Sequence, residues 1–138
     1  MNYIHHNNVV HRDLKADNIG VAYKTPIEFK NIEVKLLDFG FAKSYENSEL
    51  NSLNDFIGTP YFIAPEIINN EKYGAKCDIW SLGVVTYSLI SGKYPFEAHD
   101  RKELFELIKQ AKVTFSEPIW NSISKEAKDF IKECLTLD

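Results

Sequence analysis

The spacing of apolar residues changes part-way along the chain. In the first third they come in short runs: the Val9, Val10 pair, "IGVAY" at 19–23 and "EVKLL" at 33–37. Bounded by Asn, Gly and Pro, such runs predict strands. The first is very short and follows a turn at the "NN" pair, and the other two are joined by a connection holding Pro26. In the second half the period lengthens to that of helices. Leu104, Leu107, Ile108 and Ala111 share one helical face behind a cap at Asp100, with Glu103 three residues on. Ala127, Phe130, Ile131, Cys134 and Leu135 share another behind Ser124, and both faces read as core. Residues 76–91 are apolar all round and stop at Gly92, which predicts a helix buried on every side. The polar run 11–18 is a loop, and 38–65 is an irregular stretch long enough to be functional. "MNYIHH" reads as the last turns of a helix, and the apolar face at the other end continues up to Asp138, so both ends are expected to be cut.

With 138 residues, 44% of them hydrophobic, the chain has the size and the apolar content of one domain. It shows no repeat, linker or internal boundary. A net charge of −4 argues against nucleic-acid or anionic-membrane binding, both of which rest on a basic surface, and favours a cationic protein partner. The helix at 76–91 is too short, and too often interrupted by Asp, Ser and Thr, to span a bilayer. Cys77 and Cys134 both fall in predicted helices at a spacing that suits neither a disulfide framework nor zinc, so both are expected to be reduced and buried. The N-terminus lacks the pattern of a signal peptide, which makes a cytoplasmic location the expectation.

The loop "HRDLKADN" at 11–18 brings a carboxylate, a lysine and an amide within six residues. Phosphoryl transfer from a nucleotide needs such a set: a carboxylate to orient the attacking hydroxyl, a cation on the phosphate, and hard oxygen ligands for magnesium. Singly, each residue reads as a capped turn or a solvated charge; together they read as a site. The loop resembles the catalytic loop H-R-D-L-x-x-x-N of the eukaryotic protein kinases. "DFG" at 38–40, "GTPYFIAPE" at 58–66 and "DIWSLG" at 78–83 follow in that family's order and spacing. The resemblance covers essentially the whole chain. It implies a mainly α fold with short β-strands, the larger C-terminal lobe of a protein kinase without its N-terminal lobe. On that reading, 1–138 is a partial catalytic domain running from the end of the helix before the catalytic loop to a late helix of the lobe.

By position, the resemblance makes Asp13 the catalytic base, Lys15 the cation that neutralises the transferring phosphate, and Asn18 and Asp38 the magnesium ligands. The cofactors it implies are ATP and Mg2+. His11 and Phe39 are structural, stacking in the core column that aligns the loops. Asp78 is the buried helix carboxylate that accepts hydrogen bonds from the catalytic-loop backbone, and Glu66 awaits an arginine expected beyond Asp138. Thr59 is implied to bridge Asp13 and Lys15 and to belong to the peptide-docking segment.

Lys15 and "GTP" at 58–60 resemble serine/threonine kinases, and Phe41 goes in the family with serine as acceptor. "NNVVHRDLK", "KCDIWSLGVVTYSLISGKYPF" and "SKEAKDFIKECL" resemble most the calcium-dependent and calmodulin-dependent kinases. The chain has no EF-hand pattern, so calcium or calmodulin control would act through regions outside it. Asp17 and Glu106 occupy two acidic docking positions, which favours substrates with basic residues before the acceptor serine; a solvated helix face explains Glu106 equally well. Arg12 implies a loop ordered by an anion, with Lys43 as a second cation. Asp55 stands three residues before Gly58, where many relatives carry a phosphothreonine, and is expected to serve as a built-in anion. Ser44, Ser48 and Ser52 are candidate phosphosites.

Gly20 stands where the family places an apolar side chain under the adenine, which thins that floor, and Ala16 replaces a customary proline. No G-x-G-x-x-G-x-V loop or V-A-I-K lysine occurs in the sequence, so residues 1–138 alone are expected not to transfer phosphate. The rival reading is a catalytically silent kinase-like lobe that binds proteins through its Glu106 helix.

Overall fold

A computed structural model describes residues 1–23, 32–45 and 53–137. The predicted connection at Pro26 and the candidate phosphosites Ser48 and Ser52 lie outside those residues. The element order is α1 (Asn2–His6), β1 (Val9–Val10), a 3-10 turn (Ala16–Asn18), β2 (Ile19–Tyr23), β3 (Ile32–Leu36) and β4 (Lys43–Ser44). After these come a 3-10 turn (Pro60–Phe62), α2 (Pro65–Ile68), α3 (Lys76–Ser91), α4 (Arg101–Gln110), a 3-10 turn (Pro118–Ser122) and α5 (Lys125–Cys134).

The strands form two small antiparallel ribbons. β1 pairs with β4, setting Val9 opposite Ser44 and Val10 opposite Lys43. β2 pairs with β3 from Ile19 opposite Leu36 to Tyr23 opposite Ile32. Asn8 takes a left-handed φ of 57° between α1 and β1, a conformation its short polar side chain tolerates.

α3 is the axis of the fold. Cys77, Trp80, Val84, Val85 and Tyr87 are buried along it, and Leu89 near its end reaches solvent. Gly92 stops it with φ 71° and an N–H bonded to the Ser88 carbonyl at 2.9 Å, the left-handed cap that glycine adopts without steric cost. α5 packs closely on α3: a Cβ at Gly83 would sit 2.6 Å from Cys134 Cβ. Trp80 stacks on Phe96, and Tyr87, Phe115 and Trp120 form a second aromatic cluster. Both cysteines are free thiols in buried positions.

The two amphipathic helices are capped where the sequence places their caps. Asp100 Oδ1 accepts from Glu103 N at 2.8 Å, and Ser124 Oγ accepts from Ala127 N at 3.2 Å. Two residues of the predicted core faces differ. Ala111 packs against the core but closes α4 at φ 50° instead of continuing it. Phe130 is 45% exposed. At about 100° per residue it lies a quarter-turn from Ile131, outside the arc shared by Ile131, Cys134 and Leu135. No helix among the described residues is long and apolar enough to cross a membrane.

Candidate active site

The loop at 11–18 is suspended from α3. Asp78, in the first turn of that helix and 1% exposed, aims both carboxylate oxygens at loop backbone. Oδ2 accepts from His11 N at 2.8 Å and Oδ1 from Arg12 N at 2.9 Å. Oδ2 also accepts from His5 Nε2 at 2.8 Å, which ties α1 to the same anchor. Held this way, Arg12 takes a left-handed φ of 68°. A non-glycine residue keeps that conformation, costing about 1–3 kcal/mol, only where its surroundings over-determine it. His11 is fully buried, and its Nε2 lies 3.0 Å from the Leu37 carbonyl. A carbonyl only accepts, so Nε2 carries the proton, leaving Nδ1 to face the Asp13 N–H at 3.4 Å.

Asp13 follows, 5% exposed. Its Oδ1 accepts from the Thr59 hydroxyl at 2.8 Å and the Thr59 N–H at 3.2 Å. Its Oδ2 pairs with Lys15 Nζ at 3.0 Å and takes a longer contact from Asn18 Nδ2 at 3.3 Å. Lys15 Nζ also donates to Thr59 Oγ1 at 3.2 Å, so that one hydroxyl joins the carboxylate to the ammonium. Burial pushes the Asp13 carboxyl up, but the bonds from Lys15 and Thr59 outweigh it and hold its pKa below the ordinary value. The loop therefore presents a carboxylate at neutral pH.

Beside it lies a second charged cluster. Arg12 Nε donates to the Phe41 carbonyl at 2.6 Å, and Nη1 donates to Asp55 Oδ2 at 2.8 Å and to the Tyr73 hydroxyl at 3.3 Å. Lys43 Nζ reaches the same Asp55 oxygen at 3.3 Å. The two cations converge because Val10, two residues before Arg12, pairs with Lys43 across β1 and β4. Burial lowers the pKa of Arg12, but its bonds to Asp55 and Tyr73 raise it by more. Hydrogen bonds from Arg12 and Lys43 lower that of Asp55.

The third part lies at the open end of the β2–β3 ribbon. Leu37 N donates to the Asn18 carbonyl at 2.8 Å, one step beyond the last strand pair, which places Asp38 one residue past the partner of Asn18. Asn18 spends its Nδ2 on the Asp13 carbonyl at 2.9 Å, leaving Oδ1 as its donor toward a cation. Asp38, exposed and left-handed at φ 55°, has Oδ1 bonded to Gly40 N at 3.1 Å. An amide oxygen and a carboxylate are hard ligands of the kind magnesium takes, so the donor set fits that ion. Gly20 opens no gap in β2, because Leu37 Cδ1 lies 3.2 Å from where a Cβ would stand.

The profile of the protein kinase domain family matches residues 1–138. The chain belongs to the protein kinase family. It is 44% identical to serine/threonine-protein kinase 33 of Bos taurus, over 99% of this chain and 28% of that protein. It is 42% identical to calcium/calmodulin-dependent protein kinase type I of Schizosaccharomyces pombe, over 99% of this chain and 39% of the relative. Calcium-dependent protein kinase 4 of Plasmodium berghei is 43% identical over 96% of this chain and 24% of its own length. The chain thus spans less than two fifths of these relatives.

Within this kinase lobe some residues singled out from the sequence stand apart from the cluster. Asp17 is exposed and without an ionic partner among the described residues, and Glu106 pairs along its own helix with Lys109 at 3.1 Å; no described contact joins them. Glu66 lies half-buried in the first turn of α2, and Ser44 is exposed on β4. Phe39 packs edge-on against His11 with ring centroids 5.0 Å apart, and 46% of its surface is exposed. Sequence reasoning missed His5, Leu37, Tyr73 and Ser81. Ser81 Oγ donates to the Phe62 carbonyl at 2.7 Å, fixing the turn after Thr59 to α3. Only Ser81, a polar residue inside an apolar helix, carried a local signal.

Proposed function

We propose that this chain is the catalytic-loop lobe of a serine/threonine protein kinase that transfers the γ-phosphate of ATP to a protein hydroxyl. The observation that carries this reading is the Asp13 carboxylate, ionised, buried and bonded at once to Thr59, Lys15 and Asn18. With its pKa below the usual range, Asp13 is a weak base toward a free hydroxyl. Its part is to orient the substrate O–H and to take the proton late, once attack on phosphorus has made that proton acidic. Lys15, 3.0 Å from Asp13, balances the carboxylate at rest and can turn to the transferring phosphate. Asn18 and Asp38 would hold Mg2+, which supplies charge neutralisation at the phosphate oxygens when bound.

Phe41 favours serine as acceptor, and the exposed carboxylates of Asp17 and Glu106 favour arginine or lysine before it. Asp55 supplies the anion that Arg12 and Lys43 require, so activity needs no phosphate on the loop. The names of the relatives support calcium or calmodulin control, exerted through segments outside these residues. The test is phosphate transfer from radiolabelled ATP with Mg2+ to serine peptides by the full-length protein. Asp13→Asn should lower the rate about 10²–10⁴-fold. Transfer at the wild-type rate by that variant would overturn the reading.

A further inference from the structure

Tyr73 carries no charge, belongs to no catalytic motif and lies 61 residues from Arg12 in sequence. It is nevertheless bound to the segment before Thr59 at two levels. Its backbone exchanges a pair of hydrogen bonds with Leu53: Leu53 N to the Tyr73 carbonyl at 3.2 Å, and Tyr73 N to the Leu53 carbonyl at 2.9 Å. Its hydroxyl, on a side chain only 2% exposed, accepts from Arg12 Nη1 at 3.3 Å and donates to the Asp55 backbone carbonyl at 3.0 Å. Burial raises the pKa of the phenol, which keeps the donor proton in place at neutral pH.

We propose that Tyr73 is a positioning residue that clamps the Leu53–Asp55 segment to Arg12, so that Thr59 meets Asp13 without help from a covalent modification. The clamp reaches Asp13 by two routes. One runs through Arg12, the residue next to Asp13 in the chain. The other runs along the backbone from Asp55 to Thr59, whose hydroxyl and N–H both bond Asp13 Oδ1. The next side chain, Phe56, closes the outer side: it packs on Phe105 of α4 at 6.0 Å, with the Arg101 guanidinium over both rings at 5.7 and 5.0 Å. Successive parts of the segment are thus held by a backbone bridge, a charged cluster and an aromatic wall.

Tyr73→Phe separates the hydroxyl from the ring. The ring still fills its buried place, while the Asp55 carbonyl loses its donor and the Arg12–Asp55 ion pair remains. This inference rests on the kinase reading for its activity arm and on geometry alone for its exchange arm. In the full-length protein, Tyr73→Phe should lower kcat/KM for a serine peptide about tenfold, about 1.4 kcal/mol, with KM for ATP unchanged. Asp55→Asn should give a loss of the same order, and the double variant should be no worse than the poorer single one, because both open one clamp. Hydrogen–deuterium exchange should quicken at residues 53–58 in Tyr73→Phe and stay unchanged in α5. Unchanged exchange at 53–58 overturns the clamp, as do fully additive losses in the double variant. Faster exchange in a protein whose wild type transfers no phosphate upholds the clamp and overturns the kinase reading instead.

Discussion

Replacing Asp78 with alanine would test how the loop is suspended. The carboxylate is buried and accepts from three donors: the amides of His11 at 2.8 Å and Arg12 at 2.9 Å, and the ring of His5 at 2.8 Å. Alanine leaves both amides without their acceptor, at about 1–3 kcal/mol each, or about 2–6 kcal/mol together. Removing a carboxylate from a buried position recovers part of its desolvation penalty, which brings the expected net loss to about 3 kcal/mol. Typical domains are stable by about 5–15 kcal/mol, so this is a large fraction of the total. For a chain of this length it corresponds to a drop of about 10 °C in melting temperature. Asparagine keeps one acceptor oxygen and should cost about half as much. Urea unfolding of wild type and both variants, with slopes compared, provides the measurement. A loss under about 1 kcal/mol at unchanged slope would refute the reasoning, since the amides would then be satisfied without Asp78.

The remaining predictions concern packing, the ribbon and charge. Gly83→Ala gains up to about 1 kcal/mol of helix propensity. Its Cβ would stand 2.6 Å from Cys134 Cβ, however, forcing α3 and α5 apart, so a net loss of about 1–2 kcal/mol is expected in urea unfolding. Gly20→Leu meets Leu37 at 3.2 Å and should weaken ATP binding by the full-length protein in a calorimetric titration. Tighter binding would show that the glycine does leave the floor thin. Carbon-13 titration of the Asp13 and Asp55 carboxyls should give midpoints below the ordinary value of about 3.9. Because both folded pKa values are lowered, the stability these contacts contribute is complete above that pH and is lost as pH falls through the lowered values. A midpoint near 6 for either would contradict the geometry.

Much of the architecture was legible along the chain because its causes are local. α3, α4 and α5 follow from helical spacing and from end residues whose chemistry acts within one turn: Asp100, Ser124 and Gly92. The β2–β3 ribbon follows from two short apolar runs, "IGVAY" and "EVKLL", bounded by turn residues. Asp13, Lys15, Asn18 and Asp38 stood out because the motifs that hold them resemble those of one family in order and spacing. The resemblance also pointed to Asp78 as the anchor of the loop and to Asp55 as the anion facing Arg12; the geometry of those contacts, and the further groups that join them, lay beyond the sequence. Asp78 and Arg12 are 66 residues apart, Arg12 and Asp55 43, and only the packed fold brings them within hydrogen-bond reach. His5, Leu37 and Tyr73 are ordinary residues in their local context. They become a third donor to Asp78, the filling beside Gly20 and the clamp on Asp55 only because burial leaves each polar atom few partners and each cavity few side chains able to occupy it.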